Sequence, residues 1–109
     1  MPKVIALDFD GTIFTQVPKG WTGSKHAGEP IWSEINRAKR ERTEGAILIL
    51  WTSREGEDLQ NAVDACRSVG LEFEAVNENC QMMLDRYGPS RKIHADVYRD
   101  DKAEKVGGV

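Results

Sequence analysis

The sequence has no long apolar run, no disulfide framework and no large surplus of either charge. Its longest apolar stretch, Ala46 to Trp51, falls far short of the ~20 residues that cross a bilayer. No membrane partner is therefore expected. Met1-Pro2-Lys3 leads straight into an apolar strand and lacks the build of a secretory signal, so a cytoplasmic location is the expectation. Cys66 and Cys80 are the only cysteines and lie outside any CxxC or metal-ligand spacing, which argues against a structural disulfide. Cys66 falls on the apolar face of an expected helix and reads as a small buried hydrophobe, whereas Cys80 lies in a polar stretch. His26 and His94 lack ligand-spaced partners, so a metal role is expected for neither. A net charge of -3 and a pI near 5.4 argue against broad nonspecific binding to nucleic acid or anionic membrane, although a local basic patch is not excluded. Repeats, low-complexity tracts and interdomain linkers are missing too.

What is present is enough for one domain: 109 residues, 39% hydrophobic and 30% charged. We read residues 1–109 as a single unit. Lys3 to Phe9 contains the continuous apolar run Val4-Ile5-Ala6-Leu7, the mark of a strand buried on both faces. Residues 13–30 are punctuated by Pro18, Gly20, Gly23, Gly28 and Pro30 and read as a long loop or flap, with Trp21 placed to act as a lid or to touch a ligand. Ile31 to Arg42 has the stripe Ile31, Ile35, Ala38 of a helix, with Pro30 suited to its first turn. Its basic residues Arg37, Lys39, Arg40 and Arg42 read as a solvated face. Ala46 to Thr52 predicts a second buried strand after Gly45, and Glu57 to Val69 a helix stopped by Gly70. A short third strand is expected over Glu72 to Val76, a short helix over Gln81 to Tyr87, and a last strand over Ile93 to Arg99. The tail from Lys102 is expected to begin a helix. Alternating strands and helices imply an α/β fold: three layers, α/β/α, Rossmann-like, with a mainly parallel sheet.

Polar clusters follow three of these strands: Asp8 and Asp10, Thr52 and Ser53, Asp100 and Asp101. Open parallel sheets bind ligands beyond the carboxyl ends of their strands, so the clusters should converge. Several carboxylates in one place cannot all stay ionised without compensation. A hard divalent cation supplies it, and oxygen donors of this kind suit Mg2+, which also binds substrate phosphate. Thr52 brings a hydroxyl next to a helix start, itself a ready anion site, and Lys92 brings a positive charge. Such a set describes phosphoryl transfer, in which a carboxylate can serve as nucleophile.

Asp8-Phe9-Asp10-Gly11-Thr12 after an apolar strand resembles the first motif of the haloacid dehalogenase-like (HAD) phosphatase superfamily. Thr52 after AILILW is similar to the second motif, Lys92 to the third, and Asp100-Asp101 after VYR to the acidic fourth. The resemblance covers nearly the whole chain. It implies that Asp8 attacks phosphorus and binds the metal. Asp10 would protonate the leaving oxygen, later activate water, and bind the metal through its backbone carbonyl. Thr52 would hold a phosphoryl oxygen, Lys92 would screen charge, and Asp100 would ligate Mg2+ with Asp101 as ligand or neighbour. Thr12 follows the pattern of the phosphatase members. The chain lacks the large cap domain of many relatives and so resembles a capless or minimal-cap member. An open site of this kind suits a bulky phosphoester, or a metabolite enclosed by a partner subunit in a homo-oligomer.

Blander readings stand beside these. Thr52 and Ser53 could cap the following helix. Asp100 and Asp101 could cap a terminal one. Lys92 and its neighbour Arg91 compete for the role of site cation. Gly11, Thr12, Ser53 and Arg54 are candidates for substrate binding, while Arg54 could equally form a surface ion pair. Asn77 and Asn79 could line the pocket or simply make turns. Trp32 could wall the site or pack. The expected function is hydrolysis of a phosphate monoester, with a small phosphorylated metabolite favoured and nucleic acid left open. The alternatives are a receiver-like phosphoacceptor and a non-catalytic phosphate-binding domain. In receivers, however, the acceptor aspartate follows a middle strand and the acidic pair follows the first.

Overall fold

The computed structural model describes residues 2–16, 28–89, 93–100 and, for the backbone alone, 104–106. Strand β1 is Val4–Leu7, β2 is Ile47–Leu50, β3 is Ala75–Val76, β4 is Val97–Arg99 and β5 is Glu104–Val106. Helices α1 (Trp32–Thr43), α2 (Gly56–Ser68) and α3 (Gln81–Tyr87) alternate with the first four strands. The strands lie in the order β3-β2-β1-β4-β5, with all neighbours parallel except the β4–β5 pair. The fold is therefore the small Rossmann-like α/β arrangement that the alternating pattern predicts.

Side chains alternate across the sheet and sort into two cores. Ile5, Leu7, Leu48, Leu50 and Val97 face Ile35 and Ala38 of α1 and Ala62 and Cys66 of α2. Val4, Ala6, Ile49 and Ala75 face Met83 of α3 and Ala95. Both faces are covered, which is why β1 is apolar at every position and fully buried. Gly45 and Gly70, at φ +105° and +83°, end α1 and α2. Cys80, which lies in a polar stretch of sequence, is buried in the second core, and both cysteines are free. Burial pushes the Cys66 thiol up to about 12, so it remains a neutral packing group.

Three expectations need correction. The tail does not begin a helix: Glu104–Val106 is a strand antiparallel to β4, because the sheet edge offers unpaired backbone groups there. The third strand is limited to Ala75–Val76, which pair with Ile49 and Leu50. The last strand starts at Val97 rather than Ile93. Before it, Asp96 clasps Val4, accepting its N–H through Oδ2 at 2.8 Å and donating its own N–H to the Val4 carbonyl at 2.8 Å. Tyr98 Oη meanwhile donates to the Ile93 carbonyl and accepts the Ala95 N–H. These side-chain bonds hold 93–96 in an irregular path.

Backbone pairing closes the base of the 13–30 loop. Phe14 bridges Pro30, the Thr15 N–H donates to the Glu29 carbonyl at 2.8 Å, and the Ile31 N–H donates to the Ile13 carbonyl at 2.8 Å. At Gly28 a Cβ would meet the Thr15 carbonyl oxygen at 2.2 Å, so the two arms cross too closely for any side chain. Trp21 and His26 lie outside the described residues.

Candidate active site

β1 lies between β2 and β4, with Leu7 beside Leu50 on one side and Arg99 on the other. The ladder runs one step further: the Trp51 N–H donates to the Leu7 carbonyl at 2.8 Å and the Asp8 N–H to the Arg99 carbonyl at 2.9 Å. Asp8, Trp51 and Asp100 thus leave three adjacent strands at the same level. Each is one residue past a side chain that faces α1 and α2, so alternation turns the row toward the other face. Asp8, Trp51, Thr52, Ser53 and Asp100 line one cavity of about 280 Å³. Two carboxylates, two hydroxyls and an indole therefore share one opening at the carboxyl edge.

The turn after β1 is wound tightly. The Phe9 carbonyl accepts the N–H groups of Thr12, Ile13 and Phe14, while the Gly11 N–H donates to the Phe14 carbonyl at 2.7 Å. Gly11 sits at φ +82°, where a Cβ would be strained. Thr12 is buried beneath this turn, and its hydroxyl makes no hydrogen bond. Gly11 and Thr12 shape the turn from within, and neither lines the cavity.

Asp10 does not line this cavity and pairs instead with Arg54. Arg54 Nη2 donates to Asp10 Oδ1 at 2.7 Å and Nε donates to Oδ2 at 2.9 Å. The guanidinium also lies 4.7 Å from the centre of the Phe9 ring, which stacks on Phe14 at 5.1 Å, and it reaches the Asp58 carbonyl at 3.3 Å. The Asp10 hydrogen bonds raise the Arg54 pKa above its ordinary value, with burial opposing. Arg54 does not line the cavity, and its side chain is only 9% exposed. It is a buried fork that fixes Asp10.

Thr52 is held by two hydrogen bonds. Its N–H donates to Asn77 Oδ1 at 2.8 Å, and its Oγ1 accepts the Arg54 N–H at 3.2 Å. Neither Thr52 nor Ser53 caps α2, whose N-cap is Glu55 without a side-chain bond. Asn77 adopts φ +53°, a turn conformation that asparagine tolerates, and from there its amide sets the Thr52 backbone. Asn79 Oδ1 accepts the His94 N–H at 2.7 Å instead of facing the cavity, and the His94 ring stacks on Tyr87. Trp32 is an exposed residue of α1 with Lys39 over its ring. Arg91, Lys92 and Asp101 lie outside the described residues.

Among the described residues no group of three or more acidic, histidine or cysteine side chains forms a ready metal cage. The carboxylates that line the cavity are Asp8 and Asp100. A pair of carboxylates fits Mg2+, which keeps several waters and completes its shell with substrate phosphate. The Asp10 carboxylate is taken up by the two bonds from Arg54.

No protein-family model matches the chain, and no curated protein matches it. A solved structure does. The conserved protein coded by a locus of Bacteroides thetaiotaomicron is 38% identical, with a TM-score of 0.76, over 100% of this chain and 82% of that one. The chain belongs to that protein's family. No helix among the described residues is long and apolar enough to cross a membrane.

Proposed function

We propose that the chain is a magnesium-dependent phosphatase acting on a phosphate monoester through an aspartyl-phosphate on Asp8. The observation that supports this reading most is the cavity shared by Asp8, Thr52 and Asp100 at adjacent strand ends. The resemblance of the DFDGT segment to the HAD-like phosphatases supplies the assignment of roles.

An Asp8 carboxylate oxygen attacks phosphorus, and the bond to the leaving oxygen breaks. Asp10 delivers a proton to that oxygen, and the alcohol departs. Asp10, now ionised, takes a proton from water, and the water oxygen attacks phosphorus. The bond to Asp8 breaks, giving inorganic phosphate and a free carboxylate. In this arrangement both Asp10 carboxylate oxygens accept guanidinium N–H groups of Arg54. Proton delivery requires Asp10 to release part of that fork. The Thr52 hydroxyl donates to a phosphoryl oxygen, and Lys92 screens charge. Mg2+ held by Asp8 and Asp100, with Asp101 beside them, would neutralise the charge gathered around the phosphoryl group.

The test is phosphate release from a panel of esters, including an aryl phosphate, with Mg2+ or with chelator. Asp8→Asn is nearly isosteric and should fold normally while losing all turnover. Full activity in that variant would sink the mechanism. Lack of release from every ester, together with stable labelling of wild type by a reactive phosphodonor, would point to a receiver-like phosphoacceptor.

A further inference from the structure

Trp51 stands out in the candidate site because phosphoryl transfer does not use it. The residue is 37% exposed and lines the same cavity as Asp8, Thr52 and Asp100. Neighbouring residues of β2 show what this strand does with apolar side chains elsewhere: Leu48, Ile49 and Leu50 are all at most 1% exposed. The indole is the first apolar group after them that opens to solvent, and it does so beside the nucleophile's position.

The indole is also supported from behind. Tyr98 packs edge-on against it, with ring centres 5.4 Å apart and planes at 67°. Tyr98 cannot swing freely, because its hydroxyl is tied to the Ile93 carbonyl and the Ala95 N–H. The Trp51 backbone N–H is fixed to Leu7, and the next residue is fixed to Asn77. An aromatic ring already packed on a tied neighbour loses less entropy on binding a ligand than a free one. Flat rings stack on such faces, and stacking discriminates against ligands that have no ring.

We infer that Trp51 is a stacking platform for a flat aromatic ring carried by the leaving group, so that the site prefers a nucleoside monophosphate over a phosphate ester without a ring. This rests on the phosphatase reading for the position of the phosphate, beside Asp8 and Thr52. The phosphate and the ring would then be read by different parts of one cavity, the polar edge and the indole. The acidic net charge of -3 favours a mononucleotide over a long polyanion.

The experiment is calorimetric binding to the Asp8→Asn protein in Mg2+, comparing adenosine 5′-monophosphate, ribose 5-phosphate and a short 5′-phosphorylated single strand. The nucleotide should bind more tightly than the sugar phosphate. Adding Trp51→Ala should weaken the nucleotide about tenfold or more and leave the sugar phosphate unchanged. Trp51→Phe, which keeps a ring in place, should restore most of the difference. A strand end bound more tightly than the mononucleotide, with the same Trp51 dependence, would overturn the choice of a mononucleotide. Equal losses for ringed and ringless ligands, or no ring preference in the parent protein, would overturn the inference. Because binding is read without turnover, absence of ester hydrolysis would count against the phosphatase reading and leave this comparison intact.

Discussion

Two arginine–carboxylate forks in this fold look alike and serve different ends. Arg54 grips Asp10 at 2.7 and 2.9 Å, and Arg99 grips Glu41 at 2.8 and 3.1 Å. In both the guanidinium is more enclosed than the carboxylate, with side-chain exposures of 9% and 28% in the first and 4% and 19% in the second. The difference lies in what each fork joins. Arg99 belongs to β4 and Glu41 to α1, so that fork fastens a helix to the sheet. Arg54 and Asp10 both lie on turns beyond strand ends, at the edge where the candidate cavity opens. One geometry therefore joins a helix to the sheet in one place and two strand-end turns in the other.

The sharpest way to break this comparison is to remove a charge from each fork. Asp10→Asn should lower turnover by about 10²- to 10⁴-fold, the range of a lost acid–base group, with the hydrolysis of the phospho-enzyme slowed more than its formation. Its loss of stability should be smaller than that of the second fork, because the Asp10 carboxylate is the more exposed of the two, 28% against 19%. Glu41→Gln should do the reverse, costing roughly 2–3 kcal/mol of stability in a denaturant titration while leaving turnover intact. Equal effects of the two changes on activity would erase the distinction.

A smaller perturbation keeps the charge and removes the fork. Arg99→Lys should cost about 1–2 kcal/mol in stability, because an ammonium cannot match both carboxylate oxygens. Arg54→Lys should mainly slow turnover, since Asp10 would keep a cation but lose its orientation. A stability loss in Arg54→Lys matching that of Arg99→Lys would mean that the first fork is structural as well.

The finest test is pH. Hydrogen bonding and charge from Arg99 hold the Glu41 carboxyl below its usual value of 4.5, with Arg37 and Lys3 adding to the effect. The unfolded chain therefore binds a proton that the folded chain does not, and this contribution to stability grows with pH through that window. It is complete above pH 4.5 and is lost as pH falls through the lowered folded value. The stability gap between wild type and Glu41→Gln should be widest near neutrality and shrink on acidification, as followed by unfolding at several pH values. A gap independent of pH would show that the pair acts by shape rather than charge.

Much of this frame is legible in the residue order. The apolar runs before Asp8 and Thr52, and the stripe of Ile35 with Ala38, carry periods that depend only on local geometry. The gathering of polar residues at strand ends follows from parallel topology alone. The partners of Arg54 are not legible, because Asp10 lies 44 residues away and nothing in the local pattern distinguishes a buried fork from a solvated arginine. Asn77 likewise reads as a turn residue. Its hold on Thr52 exists only because β3 lies beside β2. The strand in the tail escapes a sequence reading because Glu104 to Val106 is too short to show alternation and pairs with an edge that the sequence does not display.

The sequence by itself therefore determined the order of elements, the two apolar faces and the positions where acids and hydroxyls leave the sheet, since these depend on near-neighbour spacing and side-chain transfer from water. Only the tertiary structure decided which charges pair. It turned Asp10 to Arg54, brought Asp8 and Asp100 into one cavity and stood Trp51 against Tyr98. Such contacts join distant segments, and their geometry exists only once the strands lie in register.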